Sequence, residues 1–318
     1  MALVSGLLLI IAQARGGEVL SPIQPSAVQS AYGRVSEVSF LSNVTTLKPG
    51  VLAFYPDGSM KTFQFPERVW VIAYATEVLD SADQPPLENY LCHTFFGNRM
   101  PRQGEQSTHK SVYSDAFTRE IRFPDGLATP MEAGEQIHWM PMFNNRTSRQ
   151  AEVRMTFRVW FIRESDRLKP IRALFGTLGS VQYPDLYYVP PGRHAKTAAF
   201  TMPFSGSIHF IGTHVHPYAE SVTLSNASMG QTLWKGSPQL GARGEIQSMQ
   251  TYSSAEGIPI RASESLHNYG HLQQYDRPCS GRNGGPVRVL QQKRMTWTLC
   301  RSRLNRAAPN AVPRRDRE

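Results

Sequence analysis

Residues 212–221 read GTHVHPYAES, with His214 and His216 one residue apart in a run that otherwise looks like a β-strand. On a strand, residues i and i+2 project from the same face, about 6.6 Å apart along the chain. Two imidazoles so placed can take one copper or zinc ion at about 2 Å from each nitrogen. The alternative is a pair of polar residues on the wet face of a sheet. Ile208, Phe210 and Gly212 share the phase of the two histidines, so the pair is expected to emerge from an apolar surface.

Two other stretches carry metal-ligand chemistry. LENYLCHTFFGN (87–98) is expected to end a strand with Cys92-His93. GEQIHWMPMFNN (134–145) places His138, Met140 and Met142 on one face of a strand. A histidine with two thioethers is a soft set that suits Cu(I); its alternative is a core face with one satisfied histidine. The cysteines are three, Cys92, Cys279 and Cys300. An odd count leaves at least one thiol unpaired within a monomer, and Cys279 could pair with Cys300. No C-x-x-C pair occurs, which argues against a structural zinc knuckle. Nucleophile elbow, P-loop and dinucleotide-binding glycine patterns are also missing.

The elements that must position these residues read as strands. AEVRMTFRVWFIR (151–163) alternates with period 2: Val153, Met155, Phe157, Val159 and Phe161 on one face, Glu152, Arg154, Thr156 and Arg158 on the other. Residues 60–80 read as two strands broken at Pro66, and 207–225 as two more broken at Pro217. No dozen residues show a convincing helical period. The 24 glycines and 23 prolines fall singly between short apolar runs, as turns do. This predicts an all-β chain of two tandem jelly-roll β-sandwiches, at about 30–164 and 186–300.

The formal charge of +9 does not belong to the folded body. Residues 277–318 hold eleven Lys and Arg against Asp316 and Glu318, which accounts for all of it. The remainder is neutral, so no nucleic-acid partner is expected for the folded body, and 301–318 reads as a disordered basic tail. Leu3–Ala12 followed by Ala12-Gln13-Ala14 fits a signal peptide over 1–14, without a basic n-region. No run approaches the length of a membrane span. Sequons at Asn43, Asn145 and Asn226 lean the same way, toward a secreted or lumenal glycoprotein.

The G-x-H-x-H stretch after a Pro-Gly lead-in resembles the second domain of the copper type II, ascorbate-dependent monooxygenases. LCHTFFGN resembles the strand where that family places a His-His pair, IHWMPMFNN its next copper strand, and KGSPQL (235–240) the stretch after its His-x-His. The resemblance covers about residues 65–276. It implies one copper per domain across a cleft, ascorbate as electron donor, and dioxygen with a small-molecule substrate hydroxylated at a C–H bond. It implies His214, His216 and a methionine at one copper, Met295 by position or Met249 as the fallback, and His93 and His138 at an altered electron-relay copper. Three departures stand out. Cys92-His93 replaces the His-His pair, Met142 occupies the place of the family's third histidine, and Gly212 stands where peptide-hydroxylating members carry an arginine for a substrate carboxylate.

The same stretch also matches the H-x-H-x-x-x-E core of cupins, with Glu220 closing an Fe or Mn site, but the cupin glycines are absent: Ile208 and Ala227 stand in their places. Pro217 is expected to break the strand and turn Glu220 away from the histidines. A third reading is a secreted β-sandwich that binds a partner and no metal.

Overall fold

The computed structural model describes residues 28–274, apart from 55, 57–59, 85, 87–89, 99–109, 177–191, 202–204, 216–218 and 243–245, together with the backbone of 288–292 and 295–299. The expected signal peptide, the basic tail, His216, Cys279 and Cys300 lie outside the described residues. Every regular element described is a strand and no helix occurs among the described residues, so the chain is all-β.

A seven-stranded sheet contains β1 (Gly33–Leu41), β2 (Thr45–Leu47), β5 (Val69–Asp80), β8 (Glu120–Arg122), β9 (Leu127–Met131), β11 (Ala151–Arg167) and β12 (Arg172–Ala173). Its order is β1-β11-β5-β9-β12, with β2 beside β11 and β8 beside β5. A five-stranded sheet contains β3 (Leu52–Phe54), β4 (Lys61–Phe63), β6 (Leu91–Gly97), β7 (Ser111–Asp115) and β10 (Ile137–Asn144). Its order is β3-β10-β6-β7, with β4 beside β10.

The second half forms a four-stranded sheet of β13 (Gly192–Thr201), β20 (Ser265–Gln274), β15 (Ala219–Asn226) and β16 (Gln231–Gly236), in that order. Three strand pairs accompany it: β14 (Gly206–Ile211) with β19 (Tyr252–Ile260), β17 (Pro238–Leu240) with β18 (Ile246–Met249), and β21 (Arg288–Gln292) with β22 (Met295–Leu299).

The seven- and five-stranded sheets close on one apolar core. The alternation of 151–161 becomes the inner face of β11, with Val153, Met155, Phe157 and Val159 essentially inaccessible. Leu91, Phe96, Val112, Ile137, Trp139 and Phe143 meet it from the other sheet. Trp139 stacks on Phe157 at 6.1 Å between centroids. Loss of a buried aromatic of this kind costs about 3–5 kcal/mol.

The outer face of the five-stranded sheet holds the chemistry. Asp115 pairs with His93 across β7 and β6, and His93 pairs with Met142 across β6 and β10. Cross-strand partners share a face, so these three form one row. Phe96 and Thr94 face inward on β6, but so does Leu91, and the parity changes between them. A β-bulge causes this: Met142 pairs with His93 while the next residue, Phe143, pairs with Leu91. Cys92 is the extra residue, and it packs outward against Met142. A bulge re-aims side chains in this way. Without it, Cys92 and His93 would face opposite sides of the sheet.

Candidate metal centre

Cys92, His93 and His214 present Sγ and ring nitrogens that all lie within 4.8 Å of one another. Cys92 and His93 are buried and come from the bulged start of β6; His214 comes from the segment after β14. The His93 Nδ1 stands 3.3 Å from Cys92 Sγ, and His214 Nε2 stands 4.0 Å from the same sulfur. The His93 and His214 rings are 5.7 Å apart. A four-coordinate ion with bonds of about 2.0–2.3 Å needs ligand-to-ligand edges of roughly 3.4–3.7 Å. One edge is already that short, and the longer ones close with side-chain shifts of about an ångström.

The path of 210–215 explains how His214 reaches this sheet. The ladder between β14 and β19 ends at Ile211 opposite Tyr252. His214 therefore lies beyond the strand that the sequence pattern predicts for it, while His216 lies outside the described residues. Phe210 packs against Phe123 at 6.0 Å, and the Val215 side chain is buried. These two anchors flank His214, which lies beside Asp115 and His93 of that row.

Burial dominates the electrostatics. Desolvation pushes the Cys92 thiol well above its ordinary range, with the Arg146 charge opposing and Asp115 reinforcing the shift. The thiol is thus held protonated, and an ion taken up here must displace that proton. Asp115 Oδ2 lies 3.4 Å from His214 Nδ1. Tyr113 flanks the cluster, its ring 5.2 Å from His93 and 6.4 Å from His214.

The other expected ligands fall elsewhere. His138 sits four positions along β10 from Met142, about 13 Å at strand rise, with Nδ1 3.1 Å from Thr62 Oγ1. Met249 ends β18, buried, opposite Pro238. Met295 opens β22, and its side chain lies outside the described residues. Glu220 faces Arg193 of β13 at 3.4 Å and does not join the cluster. Sequence reasoning singled out Cys92 beside His93 but passed over Asp115 and Tyr113, which nothing in their local pattern marks as functional.

Two of the three sequons are inaccessible. Asn145 is 0% exposed and its Nδ2 donates to the carbonyls of Leu47 and Arg149, at 3.0 and 2.8 Å. Asn226 is 1% exposed, whereas Asn43 is open to solvent. No helix among the described residues is long and apolar enough to cross a membrane.

No protein-family model matches the chain, and no curated protein matches it. Among solved structures the chain is similar to the crystal structure of PBSX exported protein XepA, at 10% identity over 85% of this chain and 100% of that one, with a TM-score of 0.20. A likeness that slight supports no inference about either fold or activity.

Proposed function

We propose that this protein binds a single copper ion through Cys92, His93 and His214. The observation that carries the reading is the convergence of these three ligand atoms within 4.8 Å, two of the residues being buried. A thiolate and two imidazoles suit Cu(I) and Zn(II) alike. The thioether residue Met142, packed against Cys92, tips the choice toward copper, since structural zinc sites take nitrogen, oxygen and thiolate ligands. Two imidazoles, one thiolate and a more distant thioether form the ligand set of one-electron copper centres. Copper held there would supply one-electron transfer. The protein's own part is to fix the ligands on a bulged strand and to keep bulk water off the sulfur.

The resemblance to ascorbate-dependent copper monooxygenases supports the choice of metal and carries two further proposals. One is that the sheets form two jelly-roll units, at about 30–164 and 186–300. The other is an alternative to the single-ion reading: C–H hydroxylation with dioxygen and ascorbate, which would need a second copper at His216 and a methionine and so two equivalents per chain. His93 and His214 lie close enough together to serve one ion, which supports electron relay over a pair divided between two coppers.

A competition titration of the reduced protein against a chromogenic Cu(I) chelator tests the reading. One equivalent of Cu(I) per chain is expected, with binding at least a hundredfold weaker in both Cys92→Ser and His214→Ala. Unchanged binding in both variants overturns it.

A further inference from the structure

We infer that Asp115 is a positioning residue that selects the ligating nitrogen of His214; this rests on the metal reading above. Asp115 is 2% exposed and ends β7, where one of its oxygens is already committed. Its Oδ1 accepts hydrogen bonds from the backbone N–H of Phe117 and of Thr118, at 2.7 and 2.8 Å. That turn fixes the carboxylate and leaves Oδ2 3.4 Å from His214 Nδ1. The other ring nitrogen, Nε2, is the one that faces Cys92 Sγ.

A neutral imidazole carries its proton on one nitrogen only, and the nitrogen that ligates a metal must be the bare one. A carboxylate oxygen accepts hydrogen bonds and donates none. Asp115 therefore favours the form with hydrogen on Nδ1 and a lone pair on Nε2, directed toward the sulfur. The same oxygen adds negative charge beside an incoming cation and holds the ring plane. Carboxylate-histidine-metal relays of this kind contribute about tenfold to a hundredfold to affinity.

The row across the sheet gives the relay its geometry. Asp115 pairs with His93 in the ladder, so the carboxylate stands beside one ligand while it orients the other. His93 is set by the strand, but His214 lies past the end of β14, outside any strand. A tether from the sheet to its ring therefore matters more for His214 than for His93.

Asp115→Asn is the discriminating variant. The asparagine oxygen can still accept from Phe117 and Thr118, preserving the turn, while its amide N–H₂ replaces the acceptor facing His214. An N–H donor there favours the opposite tautomer, with hydrogen on Nε2. Two measurements decide the matter: Cu(I) affinity of both proteins by chelator competition, and the tautomer of His214 in the metal-free wild type. The latter comes from ¹H–¹⁵N correlation of histidine-labelled protein at pH 8, assigned by His214→Gln. Hydrogen on Nδ1 and at least tenfold weaker copper binding in Asp115→Asn are expected. Hydrogen on Nε2 in the wild type, or equal affinity in the variant, overturns the inference. If the wild type takes up no Cu(I), the metal reading fails, and the tautomer alone still decides the role of Asp115. It decides equally if Asp115→Asn does not fold.

Discussion

Cys92 Sγ stands 4.0 Å from His214 Nε2 although 122 residues separate them in the chain. One belongs to the five-stranded sheet and the other follows β14, so an ion held by both ties the two halves of the structure together. Copper at a hundred times its Kd should stabilise the folded chain by about 2.7 kcal/mol. For a chain of 318 residues that corresponds to a rise in Tm of roughly 4 °C. Thermal melts with and without Cu(I) buffered at that free concentration measure it. A rise of the same size in His214→Ala contradicts the bridge.

The Cys92 thiol should be slow to react. Burial raises its pKa well above the ordinary 9.0, and the thiolate is the reactive form. In a chain carrying Cys279→Ser and Cys300→Ser, alkylation near pH 8 should be at least a hundredfold faster in denaturant than in the native protein. The stability linkage has a definite sign. The native chain keeps this proton after the unfolded chain has lost it, so the contribution is full below the ordinary thiol range and falls as pH rises above it. Urea melts at pH 8 and pH 10 should show a smaller loss in Cys92→Ala than in the wild type. Equal losses contradict the burial of the thiol.

Glu135 gives the acid limb. Desolvation would raise its pKa, but the backbone N–H of Glu132, the Asn98 amide and Lys110 outweigh it and hold the carboxyl below 4.5. Lys110 Nζ lies 3.2 Å from Glu135 Oε2. A depressed carboxylate stabilises above its unfolded pKa, and that stability is lost as pH falls through the folded value. Glu135→Gln should therefore destabilise at pH 7 and lose its disadvantage toward pH 3. Parallel pH curves for the two proteins would remove this reading.

Expression through a secretory lumen tests the burial of the sequons. Glycan is expected at Asn43 alone, because Asn145 and Asn226 are 0% and 1% exposed. Mass mapping of a folded, secreted product that shows glycan on Asn145 contradicts its packing against the carbonyls of Leu47 and Arg149.

The strands were legible wherever one face is buried and the other wet. The alternation of 151–161 reappears as the buried face of β11, and the break at Pro66 falls between β4 and β5. The site was legible only in its parts. Cys92 and His93 are neighbours, and period 2 sends neighbours to opposite faces; their convergence depends on a bulge set by the pairing of β6 with β10. The end of β14 before His214 depends on where β19 stops pairing, 41 residues downstream at Tyr252. Asp115 reads as an ordinary turn residue in SDAFT, and its other oxygen acquires a role only when His214 is brought over it. Long-range register decided each of these, and no local pattern encodes it.

X-ray absorption of the copper-loaded protein tests the centre most directly. One short sulfur at about 2.2–2.3 Å and two imidazole nitrogens near 2.0 Å are expected. The short sulfur should vanish in Cys92→Ser, and one imidazole in His214→Ala. A copper surrounded only by nitrogen and oxygen, unchanged in both variants, would contradict a site built from Cys92, His93 and His214.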